Sequence, residues 1–269
     1  MGQIRHNCCM AIKLILMDID NTLLEFDAFV RQFLDETFSR FEGFEKKGDL
    51  YEIFHANNQK LWQKLEQGEI TMEQLQAVRW GMILEKLGID FDGMEMERMF
   101  KAAMHESTII TPGAMEMLHA LSEDYVLATA SNGPYEQQVY RINKAGMGQY
   151  FRYHFISQDI GYSKPDPRFF EKARSLMKET YENDEILIVG DSASSDMQGG
   201  INAGIHTCYF DRENRGNTGG YDLCVNDLRQ IAEKLEELKH AGNQTEQACS
   251  IMYITDSGRK RGDSLSDYR

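Results

Sequence analysis

The chain has 269 residues, of which 29 are Lys or Arg and 43 are Asp or Glu, so its formal charge is −14. Its hydrophobic fraction of 42% and charged fraction of 27% are typical of a globular protein with one large domain or two modest ones. The acidic balance disfavours a long nucleic acid or an anionic membrane surface as a partner, because both attract Lys and Arg. A small phosphorylated ligand needs only a local site and stays compatible with this charge.

Export and membrane insertion are also disfavoured. Every apolar run is far shorter than the roughly 20 residues that cross a bilayer. The apolar stretch near the N-terminus leads directly into acidic residues, with no small-residue cleavage site after it. The five cysteines are odd in number and form no CxxC pair, a pattern typical of free thiols in a reducing compartment. We therefore expect a cytoplasmic protein with no membrane partner.

Five short apolar runs along the chain have the length of β-strands. They lack the strict polar alternation of a sheet with one wet face, which favours parallel strands that helices cover on both sides. Patterns of helical periodicity lie between them. The runs are 12–17, 126–130, 153–156, 186–189 and 206–210, and the helical patterns are 114–122, 136–145, 167–181 and 197–203. This alternation predicts an α/β fold with a doubly wound (Rossmann-like) parallel sheet.

A stretch after the first predicted strand interrupts the alternation. Apolar residues recur there at helical spacing, beginning with Phe29, Phe33 and Phe38, and no convincing strand is present. This pattern predicts four or five helices inserted between the first and second strands. We expect a polar tail at the end of the chain, weakly ordered or docked as one extra strand. The expected units are a core (11–24 and 108–240), an inserted helical domain (25–107) and the tail (241–269).

The first predicted strand is followed by the sequence DIDNT, residues 18–22. Asp18 and Asp20 can face a common point, either through both side chains or through one side chain and one main-chain carbonyl. Such a pair can hold a divalent cation, or it can divide the roles of nucleophile and general acid/base. Because Asp and Asn also favour turns at strand ends, the pair is a weak signal by itself.

Three further motifs follow predicted strands. Ser131 and Asn132 come after the second strand, where a hydroxyl and an amide beside a glycine turn suit an anionic oxygen. Lys164 comes after the third strand, beside a proline and just before a helix. Asp191 and Asp196 come after the fourth strand, about one helical turn apart. Each motif also has a plain structural explanation, which is capping of the next helix or, for the lysine, a solvated side chain.

All four motifs lie at the carboxyl ends of predicted parallel strands, the edge at which open α/β sheets bind ligands. Four carboxylates, a hydroxyl, an amide and a lysine would therefore converge at one point. This set of groups fits metal-assisted phosphoryl transfer better than any of the motifs indicates alone.

The order DIDNT, SNG, KPDP and GDSxxxD, with a helical insertion after the first motif, resembles the haloacid dehalogenase (HAD) superfamily of phosphohydrolases. The resemblance covers residues 12–238, and the insertion is similar to the superfamily's helical cap of the first type. Within the superfamily, DIDNT, SNG and IGYSKPDPRFF are most similar to the pyrimidine 5′-nucleotidases, which hydrolyse nucleoside monophosphates. That branch usually has Thr before the Asn-Gly, and Ser131 keeps the hydroxyl here.

The resemblance implies a phosphomonoesterase acting on a small phosphorylated substrate, such as a nucleoside 5′-monophosphate. Asp18 would be the nucleophile that forms an aspartyl-phosphate. Asp20 would protonate the leaving alcohol and then deprotonate the attacking water. Ser131 and the Asn132 backbone would bind phosphoryl oxygens, and Lys164 would neutralise negative charge on the phosphate.

The resemblance also implies Mg²⁺ as cofactor. The cation would be held by the Asp18 carboxylate, the Asp20 main-chain carbonyl and Asp191. Asp196 would support the site through a water on the cation or by contacting Lys164. A divalent cation is needed on physical grounds as well, because four carboxylates and one lysine would repel a phosphate.

The inserted helices would form a cap that closes over the crevice. Phe26, Phe29 and Phe33 are candidates for stacking on a nucleobase, but their helical spacing favours the cap's own core, so we do not assign them to the site. Several other functions share part of the motif set. Phosphatases of phosphoglycolate or sugar phosphates, and phosphomutases, would keep all of it, whereas a dehalogenase does not need Asp20 as acid/base.

Two alternatives belong to different classes. A phospho-acceptor signalling domain also gathers acidic residues, a hydroxyl and a lysine on an α/β sheet, but it is shorter and has no helical insertion. A Ser hydrolase of the GDS type would match residues 190–192, but its base is a His three residues after an Asp. The chain has no such pair, so we set that function aside.

Overall fold

A computed structural model of the protein describes residues 11–40, 50–216 and 219–239, so the predicted tail lies outside the described residues. A six-stranded sheet, parallel throughout, forms its centre in the order β3-β2-β1-β4-β5-β6. This confirms the predicted doubly wound sheet. The strands are β1 (Leu14–Met17), β2 (Val126–Ser131), β3 (Tyr153–Ile156), β4 (Ile186–Gly190), β5 (His206–Phe210) and β6 (Leu223–Val225).

Helices alternate with these strands, and the described part of the long insertion after β1 is helical. The insertion contains α1 (Phe26–Phe38), α2 (Leu50–Glu66), α3 (Met72–Leu87) and α4 (Gly93–Glu106). The others are α5 (Ala114–Leu121), α6 (Tyr135–Lys144), α7 (Ser157–Ile160), α8 (Pro167–Ser175), α9 (Gln198–Ala203) and α10 (residues 230–239). None of these described helices is long and apolar enough to cross a membrane.

One predicted element is wrong, and one strand was not predicted. The helix predicted over 167–181 ends at Ser175, after which the chain turns. Met177 and Tyr181 pack on the same apolar cluster as α8 without being helical, so their spacing imitated a continued helix. Strand β6 was not predicted, because three residues are too short to give a periodic pattern.

The two faces of the sheet bury alternate side chains of each strand, as the pleat requires. On β1, Ile15 and Met17 face α5, α6 and α10, whereas Leu14 and Leu16 face α8 and α9. All four side chains are at most 3% exposed. Burial on both faces explains why the strands are continuous apolar runs, and it holds the strand ends at fixed positions.

The inserted helices α1 to α4 share an apolar cluster of their own. Trp80 and Phe100 lie at its centre, with ring centroids 5.4 Å apart. Phe29 and Phe33 from α1 are also buried in it, whereas Phe26 is only partly buried. Thr71 begins α3 with a capping box to Gln74, which satisfies two free backbone groups at the helix start.

The position of β1 in the sheet determines where a site can form. It lies between β2 and β4, so the chain runs to one side of β1 for β2 and β3, and to the other side for β4 to β6. Met17 pairs with Thr129 on one neighbour and with Val189 on the other. This is a topological switch point, where adjacent loops diverge and leave a crevice at the carboxyl ends of the strands.

Candidate active site at the carboxyl edge of the sheet

The centre of the crevice is a buried lysine held between two carboxylates. Lys164 is 1% exposed, and its Nζ donates to Asp18 Oδ1 at 2.7 Å and to Asp196 Oδ1 at 2.6 Å. A third hydrogen bond goes to the Ala130 carbonyl at the end of β2. Burial alone would lower the pKa of Lys164, but the two carboxylates outweigh it and raise that pKa. The side chain is therefore an ammonium that donates all three of its protons to fixed acceptors.

Asn132 fixes the loop that carries Lys164. Its side-chain Nδ2 donates to the Lys164 carbonyl at 2.8 Å, and its Oδ1 accepts from the Lys164 backbone N–H at 2.9 Å. The Asn132 carbonyl in turn accepts from Ser157 Oγ at 3.1 Å. This two-point contact gives the side chain a positioning role that the sequence did not indicate. The predicted role of the Asn132 backbone in phosphate binding stays a prediction.

Asp196 is fully buried and has both carboxylate oxygens engaged. One accepts from Lys164, and Oδ2 accepts from the Ser192 backbone N–H at 3.0 Å. Gly190, the last residue of β4, lies directly against this carboxylate, since a Cβ there would come 2.1 Å from Asp196 Oδ2. Any larger residue at that position would displace the carboxylate. These contacts favour the predicted supporting role of Asp196.

Three carboxylates form the cluster that could hold a metal ion. One oxygen from each of Asp18, Asp191 and Asp196 lies within 4.8 Å of the others. Burial raises the pKa of Asp18 to about 7 and that of Asp191 well above its ordinary value, and the neighbouring carboxylates add to both shifts. Lys164 therefore offsets only part of the local negative charge. A divalent cation fits this donor set, because Mg²⁺ prefers carboxylate oxygens and would relieve the repulsion.

The second carboxylate of the DIDNT motif lies at the rim of the crevice. About 30% of the Asp20 side chain is exposed, and it lines the same cavity as Asp18. Its Oδ1 accepts from Arg141 Nη1 at 2.7 Å, and its Oδ2 accepts from Gln138 Nε2 at 2.7 Å. Neither of these two partners was identified from the sequence. The Asp20 carbonyl is a predicted metal ligand, and that role stays a prediction.

Ser131 ends β2 and is 2% exposed. Its Oγ accepts from the Gly133 backbone N–H at 3.2 Å and from Gln138 Nε2 at 2.8 Å. A hydroxyl has one proton to donate, and both of these contacts leave that proton available for an oxygen in the crevice. The structure thus brings together all seven side chains that the sequence singled out.

A cavity of about 300 Å³ joins the strand ends to the inserted helices. This volume lies in the range of sites for small ligands. Its far wall includes one face of α2, formed by side chains three or four residues apart, among them His55, Gln59, Trp62 and Glu66. Burial and the charge of Asp196 raise the pKa of Glu66 to about 7, so the charges of the carboxylate cluster act on this helix.

The sequence did not indicate this wall. Polar residues at helical spacing are typical of a solvated helix face, and α2 has no run of apolar residues to mark it as different. The available signal was Trp62, a large aromatic side chain in the middle of an otherwise polar face. Arg141 and Gln138 on α6 were missed for the same reason, since an amphipathic helix usually exposes such residues.

Comparison with known proteins identifies the family to which the chain belongs. The sequence profile of the haloacid dehalogenase-like hydrolases matches residues 12–204. The pyrimidine 5′-nucleotidase YjjG of Escherichia coli K12 is 32% identical over 211 residues, which are 77% of this chain and 89% of YjjG. The pyrimidine 5′-nucleotidase PynA of Streptococcus pneumoniae R6 is 31% identical over 202 residues, which are 75% of this chain and 84% of PynA.

A solved structure gives the same fold. The crystal structure of the putative HAD-hydrolase YfnB from Bacillus subtilis, bound to magnesium, superposes with a TM-score of 0.72 and 24% identity. The superposition covers 83% of this chain and 98% of YfnB. The profile match extends from the residues before β1 to the end of α9, and so includes all four motifs around the buried lysine. The chain belongs to the haloacid dehalogenase-like hydrolases.

Proposed function

We propose that this hydrolase is a Mg²⁺-dependent phosphomonoesterase that acts through an aspartyl-phosphate on nucleoside 5′-monophosphates, with pyrimidine nucleotides preferred. The observation that carries the proposal is the buried Lys164 ammonium between Asp18 and Asp196, with Asp191 in the same cluster and Asp20 at the rim. In this proposal the Asp18 carboxylate would attack phosphorus, and the Asp20 carboxyl would protonate the leaving group.

The proposed reaction has two steps. An Asp18 oxygen attacks phosphorus, the bond from phosphorus to the leaving oxygen breaks, and the proton of Asp20 passes to that oxygen. A water then attacks phosphorus and gives its proton to Asp20, while the bond to Asp18 breaks and releases inorganic phosphate. The Ser131 hydroxyl and the Asn132 backbone would bind the phosphoryl oxygens, and the Lys164 ammonium would neutralise negative charge on the phosphate. Asp18, Asp191 and the Asp20 carbonyl would hold Mg²⁺, which would supply the positive charge that lets a carboxylate approach a phosphate dianion.

The inserted helices are proposed to act as the cap of this site. The proposed cap consists of residues 25–107, and the proposed catalytic core consists of residues 11–24 and 108–240. Glu66 on α2 lies close enough to Asp196 for their charges to interact, so the cap and the core bound one cavity. Enclosure of the substrate there would exclude bulk water and strengthen the electrostatic contacts with the phosphate.

The preference for a nucleotide is supported by the cavity wall and by the two relatives described as pyrimidine 5′-nucleotidases. Trp62, His55 and Phe26 line the cavity, and a planar base can stack on aromatic rings. Gln59 and Asn58 offer side-chain amides, which can both donate to and accept from the edge of a base.

A panel of phosphate esters tests the substrate. We expect dUMP, dTMP and UMP to give higher kcat/KM than AMP or GMP, and far higher than phosphoglycolate or glucose 6-phosphate. Deoxyribose 5-phosphate is the matched control, because it keeps the leaving group and lacks the base. Trp62→Ala should lower kcat/KM for dUMP by about 10- to 100-fold, at about 1–3 kcal/mol per stacked base, and leave deoxyribose 5-phosphate unchanged.

Lys60→Ala, on the exposed side of α2, is the control variant and should not change kcat/KM for either dUMP or deoxyribose 5-phosphate. A preference for sugar phosphates over every nucleotide would contradict the nucleotidase proposal while leaving the phosphatase chemistry intact. Release of no phosphate from any ester would contradict both.

Removal of Mg²⁺ should lower stability, and the loss should grow with pH. Asp18 keeps its proton in the folded state up to about pH 7, although its ordinary pKa is 3.8. Between pH 3.8 and about pH 7 the unfolded state has lost this proton while the folded state keeps it. The metal-free fold therefore becomes less stable as pH rises through this range. Mg²⁺ binds the ionised form, so its stabilising effect should increase over the same window.

Thermal unfolding with EDTA or Mg²⁺, at about pH 5 and about pH 8, measures this effect. At a hundred times its dissociation constant, Mg²⁺ should raise the free energy of unfolding by about 2.7 kcal/mol at the higher pH. Asp191→Asn should remove most of the increment. An unfolding temperature at the higher pH that does not respond to Mg²⁺ would contradict the assignment of the metal site.

A further inference from the structure

Two side chains of α6 engage both oxygens of the Asp20 carboxylate. Arg141 Nη1 donates to Oδ1 at 2.7 Å, and Gln138 Nε2 donates to Oδ2 at 2.7 Å. The two donors are three residues apart, so they project from the same face of the helix. They are also bonded to each other, since Arg141 Nη1 donates to Gln138 Oε1 at 2.9 Å. The rotation of the Asp20 side chain is therefore fixed at two points.

The arginine is in an unusual position for its residue type. Its side chain is 1% exposed, and arginine is almost never fully buried unless it is paired. Besides Asp20 and Gln138, it reaches the Ser107 carbonyl, which accepts from Arg141 Nε at 3.3 Å. Ser107 is the C-cap of α4 and directly follows its last residue. The guanidinium thus has partners on α6, on the loop after β1 and at the end of the inserted helices.

The glutamine links Asp20 to the phosphate side of the site. Gln138 is 1% exposed, and its Nε2 contacts Ser131 Oγ at 2.8 Å as well as Asp20. Gly133 leaves the space that this side chain occupies, since a Cβ there would lie 2.6 Å from Gln138 Nε2. The acid/base candidate and a phosphate-binding candidate are therefore held by one amide.

We propose that Arg141 and Gln138 are the positioning residues of the general acid/base, holding the Asp20 carboxyl at a fixed distance and angle from the leaving oxygen. The inference rests on the proposed phosphatase function. Neither side chain needs to touch the substrate, because they act through Asp20. Each Asp20 oxygen has a further lone pair beyond the one used here, so the carboxyl can exchange a proton with the leaving group or with water while these contacts hold it.

The competing explanation is that the arginine only stabilises the fold through a buried ion pair. The two roles differ in how the loss depends on the leaving group. Proton transfer to the leaving oxygen matters greatly for an alkyl ester, whose alkoxide is a poor leaving group, and little for an aryl ester that releases nitrophenolate. A purely structural defect would lower the turnover of both substrates alike.

The first experiment compares kcat/KM of Arg141→Met on dUMP and on p-nitrophenyl phosphate, with Mg²⁺. This parameter covers the first phosphoryl transfer, in which Asp20 acts as acid. We expect the loss on dUMP to be about 10- to 100-fold, part of the factor that a general acid contributes, and the loss on p-nitrophenyl phosphate to be less than about threefold. Equal losses on the two substrates would overturn the proposal.

The second experiment repeats the substitution in an Asp20→Asn background. If Arg141 acts through Asp20, its replacement should change dUMP turnover by less than about threefold there, since its target is already gone. Independent, multiplicative losses would assign Arg141 a role elsewhere and overturn the proposal. Wild-type protein that releases no phosphate from either ester would instead contradict the proposed function itself.

Three further variants cover the case in which Arg141→Met fails to fold. Gln138→Met removes the second donor and should show the same preference for the aryl ester, in a milder form. Arg141→Lys keeps the charge and should restore part of the dUMP activity. Lys144→Met is the matched control, because Lys144 joins α6 to Glu106 at the end of α4 but does not contact Asp20. It should leave the ratio of the two substrates unchanged.

Discussion

Asp18→Asn is expected to reduce phosphate release by roughly 10³-fold or more, since a carboxamide cannot serve as the nucleophile. The substitution keeps the shape of the side chain, and the new Oδ1 can still accept the hydrogen bond that Lys164 Nζ now gives at 2.7 Å. The fold should therefore persist. Release of p-nitrophenol in the presence of Mg²⁺ measures the loss, and circular dichroism checks the fold.

Asp124→Asn is a suitable control for this change. Asp124 is an exposed acid that pairs with Lys239. It lies just before β2, at the opposite end of that strand from Ser131, and its loss should not affect turnover. Retention of more than a tenth of wild-type activity in Asp18→Asn would remove Asp18 from the role of nucleophile, whatever the metal dependence of the residual reaction.

Lys164→Met is expected to produce the largest loss of stability. The lysine is 1% exposed and gives its protons to Asp18, Asp196 and the Ala130 carbonyl. Its removal leaves buried carboxylates without a positive partner, which typically costs about 3–5 kcal/mol. Urea unfolding without metal measures this cost. Mg²⁺ should recover part of it, because a cation at the cluster replaces some of the missing charge.

The matching control is Lys13→Met, which removes a lysine that pairs with Glu185 at the surface. Solvent screens that pair, so its loss should leave the urea midpoint nearly unchanged. If Lys164→Met unfolded at the wild-type urea concentration without metal, the ammonium would not be compensating a buried acidic cluster. The electrostatic account of the site would then be wrong, even if activity were lost.

The sheet could be predicted because its strands are buried on both faces. Leu14 to Met17 on β1 form an uninterrupted apolar run, and the polar motif begins at the next residue. The end of α8 could not be predicted, since Met177 and Tyr181 return to the same cluster after the chain has left the helix. The spacing of apolar residues indicates which side chains are buried. It indicates only indirectly whether those residues belong to a helix, a strand or a turn.

The site was predictable to the extent that it lies directly after strands. Asp18, Ser131 and Asp191 each follow a buried run within a residue or two, so the parallel sheet alone brings them to one edge. Arg141 and Gln138 lie inside a helix with an ordinary amphipathic pattern, and only the packing of α6 against the loop after β1 reveals their contact with Asp20. Tertiary contacts of this kind have no local sequence signature.

Asp18 and Asp20 have different proposed roles, so replacing Asp20 alone should separate phosphoryl transfer to the protein from hydrolysis of the aspartyl-phosphate. Asp20→Asn should still accept a phosphoryl group from p-nitrophenyl phosphate, because nitrophenolate departs without a proton. It should then hydrolyse the aspartyl-phosphate slowly, because no base activates the water. The intermediate should therefore accumulate in this variant and not in the wild type.

To test whether Asp18 is the nucleophile, Asp20→Asn is mixed with p-nitrophenyl phosphate and Mg²⁺ and quenched in acid, and the phosphoryl group is located by mass spectrometry. We expect a burst of about one nitrophenol per protein molecule and one phosphoryl group on Asp18, both absent when Asp18 is also replaced by Asn. A phosphoryl group on any other residue, or nitrophenol release with no phosphorylated protein, would contradict the account.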